Sequence, residues 1–217
     1  MLAMYAPPPL PPPVPARFAT RVTNPWFPLR RGAVYEYRGV EDGQPARQLF
    51  TVTRRTKVIQ GVRCTVIRDI VFHRGRLAER TEDWYAQDRA GNVWYFGENT
   101  ATLDRRGRVK SREGSWTAGV RGARAGIYMP AHPRVGTTGL QEYYPGHAED
   151  AFTIVSLRAR VRTPAVFSRR AMRTREFTRL EPGVVDRKVY VRGVGQVFEA
   201  SIKGGDDRLA LVDMRRR

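Results

Sequence analysis

From Thr23 onward, apolar and polar residues alternate in short runs broken by glycine-centred turns. This period of two is the pattern of antiparallel sheet. Residues 34–37 form the first run and Glu41-Asp42-Gly43 the turn after it. Residues 49–54 and 57–59 follow, with a turn at Gln60-Gly61. Val62, Cys64 and Val66 share one strand face, Arg63 and Thr65 the other, and the strand runs on to Phe72. His73-Arg74-Gly75-Arg76 is a hairpin turn, residues 77–87 return, and "QDRAGN" (87–92) turns the chain into residues 93–96. A further hairpin is expected around 104–108.

Residues 114–146 hold seven glycines and three prolines with little periodicity, and read as a long loop with one or two short strands. Alternation resumes after Asp150. Leu157, Ala159 and Val161 face one way while Arg158, Arg160 and Arg162 face the other. Thr163-Pro164 ends that strand, and residues 166–172 read as a short helix. Strands at 176–180, 189–192, 197–202 and 209–212 complete the chain. Ten to twelve short strands and at most one short helix predict an all-β, single-domain antiparallel barrel-like or strongly curved sheet. Residues 1–22 are expected to be a proline-rich extended leader and 23–217 one β domain. Seven of the 15 prolines fall between Pro7 and Pro15, which favours polyproline II. The leader has no basic n-region, and proline interrupts its apolar part, so it does not read as an export signal.

Charge changes this picture. The 217 residues carry 39 Lys plus Arg against 21 Asp plus Glu, a formal charge of +18, and 35 of the cations are Arg. A polyanion is the first partner such a balance suggests. Seven Arg and no acid lie in residues 158–175, so Arg158, Arg160 and Arg162 are candidates for an anionic polymer or lipid. The aromatics cluster elsewhere, between Glu82 and Glu98 among four acids and one Arg, which argues against a single-stranded nucleic-acid platform. No apolar run reaches the roughly 20 residues of a membrane-spanning helix. The single cysteine, Cys64, excludes an internal disulfide framework and reads as a buried, inert thiol.

Candidate chemistry is sparse. "EDWYAQDRAGNVWYFGE" (82–98) puts Trp84, Tyr85, Trp94, Tyr95 and Phe96 on one hairpin. Strand alternation sends Trp84 and Tyr85 to opposite faces, so one set packs and the other lines a cavity or the surface. "MPAHPRVGTTGLQEYYPGHAED" (129–150) holds His132, Glu142, His147, Glu149 and Asp150, without HExxH, His-x-His or EF-hand spacing. No metal or cofactor is therefore expected. GxSxG and phosphate-cradling glycine loops are absent from the sequence.

The strings "TNPWFPL" (23–29), "EDWYAQDRAGNVWYFGE" and "GSWTAGVRGARAGIYMPAHPRVGTTGLQEYYPGHAED" (114–150) resemble a family of bacterial β-rich proteins that has no assigned activity. Its members are usually exported or lipid-anchored. The resemblance implies an extracytoplasmic β-barrel architecture. It also implies a second cysteine near the position of Ala171, as a partner for Cys64, which this chain lacks. The expected function is non-enzymatic binding of a small, partly apolar ligand in an aromatic-lined cavity. Trp84, Trp94, Trp116, Tyr143 and Tyr144 would be walls, Glu142 and Arg124 polar anchors, and "GIYMPAHP" (126–133) a lid. The alternatives are a hydrolase or lyase pairing His132 or His147 with Glu142, Glu149 or Asp150, and an Arg-rich envelope protein.

Overall fold

The computed structural model describes residues 8–216. The first seven residues of the leader, and Arg217 of the terminal arginine run, lie outside the described residues. Among the described residues the fold is all-β, with one 3-10 turn at Pro15–Arg17. Five long strands come first: β1 (Ala33–Glu41), β2 (Gln44–Ile59), β3 (Val62–His73), β4 (Arg76–Gln87) and β5 (Val93–Leu103). Five short ones follow: β6 (Val109–Ser111), β7 (Trp116–Thr117), β8 (Arg124–Met129), β9 (Thr138–Leu140) and β10 (Glu142–Tyr143). Five more complete the sheet: β11 (Asp150–Arg162), β12 (Phe167–Thr178), β13 (Val185–Val191), β14 (Gly195–Lys203) and β15 (Arg208–Arg216).

The strands β1 to β5 and β11 to β15 are two antiparallel meanders, joined where β1 pairs with β15. The glycine-rich middle segment makes the seam between their far edges. β8 pairs with β5, and β9 pairs with β11. β10 adds to β8. Gln141 alone separates β9 from β10, and its N–H donates to the Asp150 carbonyl at 2.8 Å. One stretch of chain thus begins on one edge of the sheet and ends on the other. The result is a nearly closed barrel, which leaves little unpaired edge to aggregate.

Two expectations are corrected. Residues 166–172 are not a helix: Thr163 and Val166 form the turn between β11 and β12, with Thr163 N–H donating to the Val166 carbonyl at 2.8 Å. Pairing of β12 with β11 on one side and β13 on the other overrides any local helical preference. Residues 114–146 hold four short strands rather than one or two, because each is only two to six residues and is defined by its neighbour rather than by its own periodicity.

Contacts begin within the leader. Arg17 O accepts from Arg89 N at 2.7 Å, and Ala19 N donates to Gln87 O at 2.8 Å. The Phe18 ring packs edge-on against Trp94 and Phe96, with centroids 5.7 and 5.6 Å away.

Candidate functional site

The barrel encloses a cavity of about 230 Å³. Its wall is built by alternation. On β4, Asp83 and Tyr85 face the lumen, so Trp84 between them faces out. On β5, Tyr95 faces in while Trp94 and Phe96 lie under Phe18 on the outer side. Tyr85 and Tyr95, opposite one another across the hairpin, stack at 4.7 Å. Tyr128 of β8 meets Tyr85 edge-on at 5.0 Å. Phe27 enters from the "TNPWFPL" segment, 4.6 Å from Tyr128 and 5.2 Å from Tyr85. That segment is fixed by Asn24, whose Oδ1 accepts from Trp26 N at 2.8 Å and whose Nδ2 donates to Gly91 O and Pro130 O. Phe27, Pro28 and Leu29 therefore form part of the cavity wall.

Polar groups line the same cavity beside these rings. Asp69 (β3), Asp83 (β4), Glu98 (β5), Glu142 (β10), Asp150 (β11) and Glu199 (β14) all line the cavity, with one cation among the described residues, Lys188 of β13. Lys188 Nζ is 2.9 Å from Glu176 Oε2 and 3.5 Å from Glu199 Oε1. Burial opposes its charge, but these two carboxylates outweigh burial and hold its pKa well above the usual lysine value. The other carboxyls make neutral contacts. Tyr95 Oη donates to Asp83 Oδ1 at 2.8 Å, Gln48 Nε2 to Asp69 Oδ2 at 2.7 Å, and Trp116 Nε1 to Glu142 Oε2 at 2.7 Å.

Desolvation disfavours the ionised form of such groups. Burial pushes Asp83 up to about 7, the Tyr95 hydroxyl partly offsetting it while nearby Glu79 adds to it. Burial, then the neighbouring Asp83, raises Asp69 well above the carboxylate range. Glu98 rises for the same reasons, with Glu142 adding to the effect. Burial and Asp150 raise Glu142 despite the Trp116 N–H.

The sequence-derived candidates divide. Glu142 and Asp150 both line the cavity, Glu142 buried and Asp150 exposed. Trp116 of β7 packs behind the wall, its ring edge-on to Tyr95 at 5.5 Å, and does not itself line the cavity. β7 can lie against β5 there because Gly97 has φ +121° and any Cβ would sit 2.3 Å from Trp116 O. Trp84 lies outside beneath Lys57, whose Nζ is 3.2 Å from the ring centroid. Trp94 is half-buried on the outer side, with Nε1 donating to Asp88 Oδ2 at 2.9 Å. Tyr143 packs with Leu140, Ala151 and Phe177 away from the lumen, and exposed Arg124 is its cross-strand partner. Tyr144 stacks on exposed His147 at 4.3 Å. His132 is exposed beside a separate surface groove with Trp26 and Arg192. Glu149 is paired with Arg179 at 2.6 Å. No histidine lines the lumen, so the pairing of His132 or His147 with a carboxylate is not assembled there. Residues 126–129 of the "GIYMPAHP" segment belong to β8, and Pro130 O just after it accepts from Asn24 Nδ2. Arg158, Arg160 and Arg162 are all exposed.

Sequence reasoning missed Asp69, Glu98, Lys188 and Glu199. The available signal was phase: Asp69 falls on the same face as Ile67 and Val71, and Lys188 on the same face as Tyr190.

No known family model matches the chain, and no curated protein matches it in sequence. Two solved structures are similar. A candidate exported protein with a YmcC-like fold from Bacteroides fragilis NCTC 9343 has a TM-score of 0.50 at 12% identity, covering 88% of this chain and 99% of its own. A candidate lipoprotein from Parabacteroides distasonis ATCC 8503 has a TM-score of 0.45 at 10% identity, covering 88% of this chain and 98% of its own. The likeness to the first is one of fold.

Proposed function

We propose that the protein is a non-enzymatic, extracytoplasmic binding protein that takes a small, partly apolar molecule into the barrel lumen. The observation that carries this reading is a cavity of about 230 Å³ lined by Phe27, Tyr85, Tyr95 and Tyr128 together with convergent polar groups. Apolar walls with a few placed polar groups are the general form of small-molecule sites. The similarity to a candidate exported protein supports the location. The test is a thermal-shift screen with small aromatic and aliphatic compounds, repeated on Val194→Phe, which adds bulk at a lumen-lining turn position. Ligands should raise the Tm of the wild type and not of the variant. A screen without a single shift in the wild type would remove the reading.

A second reading has its own observation. Phe167 is 46% exposed at the start of β12, with the guanidinium groups of Arg160, Arg162 and Arg169 at 5.5, 4.9 and 5.8 Å from its ring centroid. Such a group suits an anionic polymer or lipid surface. Salt-sensitive retention on heparin, lost on replacing Arg158, Arg160 and Arg162 by Ala, tests it.

A further inference from the structure

The chain is strongly basic, yet its lumen is acidic. Asp69, Asp83, Glu98, Glu142 and Asp150 line the cavity, and among the described residues none has a Lys, Arg or His within ion-pairing distance. A protein with 39 cations pairs carboxylates readily: Glu36 alone contacts Arg38, Arg47 and Arg215 on the outer side. Burying carboxyls away from that supply keeps them protonated at a cost in stability unless a cation meets them.

Two further observations point to a cation. Asp69 Oδ1 is shut off from solvent and has no hydrogen-bond partner, while its side chain faces the lumen. The lumen also already contains one ammonium held by two carboxylates, Lys188 between Glu176 and Glu199. The same lining includes Tyr85, Tyr95 and Tyr128, aromatic side chains of the kind that attract cations as well as apolar groups.

We propose that the lumen ligand is a small organic ammonium ion, its charge held by Asp69, Asp83, Glu98 and Glu142 and its apolar part lying against Tyr85, Tyr95 and Tyr128. This rests on the lumen-binding reading and names its ligand class. Lys188 does not oppose it, because Glu176 and Glu199 neutralise that charge.

Three probes of one shape and three charges make the test: benzylammonium, benzyl alcohol and benzoate, titrated calorimetrically into the full chain at pH 8. Benzylammonium should bind at least tenfold more tightly than benzyl alcohol, and benzoate should not bind. The Asp83→Asn, Glu98→Gln double variant keeps side-chain volume. It should lose at least tenfold in benzylammonium affinity while benzyl alcohol changes less than twofold. The single variants Asp69→Asn and Glu142→Gln should each lower benzylammonium affinity in the same selective way, and they replace the double variant if it does not fold. Equal affinity for alcohol and ammonium would overturn cation recognition and leave lumen binding intact. A preference for benzoate would overturn it in favour of Lys188 as the anchor. If no probe binds but neutral compounds shift the Tm, the ligand class is wrong. If nothing binds at all, the lumen reading fails with it.

Discussion

Asp83 is the most informative residue to perturb. It is 8% exposed, and its ordinary pKa of 3.8 rises to about 7 because burial disfavours the carboxylate. The folded protein therefore binds a proton there that the unfolded chain has released, over the window between those two values. Stability falls with rising pH wherever the folded state holds more protons. At about 1.4 kcal/mol per unit, a shift of about three units makes roughly 4 kcal/mol of stability that is present below pH 3.8 and lost as pH rises through 7. Asp83→Asn keeps an oxygen to accept the Tyr95 hydroxyl and cannot ionise. Its stability relative to wild type should therefore rise by roughly 4 kcal/mol between pH 4 and pH 8. Urea titrations of both proteins at unit pH steps measure this directly. Glu98 faces Asp83 across the hairpin and Glu79 and Lys188 act on it from nearby, so Asp83→Asn is compared with Glu98→Gln in the same series. A difference curve flat to within about 1 kcal/mol would show that Asp83 is hydrated in the folded protein, and the dry polar wall would be wrong.

Three other outcomes follow from the same geometry. Lys188→Met should destabilise the protein by about 3–5 kcal/mol at neutral pH, because Glu176 and Glu199 lose their cation; chemical denaturation reads it. Gly126→Val should loosen the seam by about 2 kcal/mol or more, since a Cβ there would lie 2.4 Å from Leu140 O; faster amide exchange confined to β8, β9 and β10 is the expected signature. Cys64, buried with its thiol pushed up to about 12, should resist a disulfide reagent in the native protein at pH 8 and react at once in urea.

The sheet was legible in the sequence because long strands carry their own signal. β2, β3, β4 and β5 are each more than ten residues long, contain alternating runs, and lie between turns with glycine in the left-handed region, such as Gly61 at φ +76° and Gly75 at +79°. The seam was not legible. β9 and β10 together span five residues, and what makes them strands is the arrival of β11 and β8 beside them, more than ten residues away in the chain or beyond a turn. The helix expected at residues 166–172 failed for the same reason, since pairing from both sides decides that conformation. In the candidate site, alternation correctly separates Trp84 from Tyr85, but it does not say which face is the lumen. That choice depends on Phe18 covering Trp94 and Phe96 from outside and Phe27 entering from within, and both contacts come from residues before the first strand.

The placement of charge links fold and function. An inward-facing position on a strand is normally apolar, and the sequence puts Asp69, Asp83 and Glu98 there on three adjacent strands. Hydrophobic residues at these positions would fill the barrel and stabilise it more. Carboxyls interleaved with tyrosines instead leave a polar, partly aromatic cavity inside a basic shell, at the expense of stability that rises again when the acids are protonated. A purely structural barrel gains nothing from that arrangement. A barrel that must admit a cation gains from it twice: the carboxyls meet the charge inside, and the arginines stay on the outer surface, where they cannot compete for the same oxygens. Exchanging Asp69, Asp83 and Glu98 together for Asn and Gln should therefore raise stability at pH 8 while removing ammonium binding, and a triple variant that lost both would mean these acids hold the barrel together instead of equipping it.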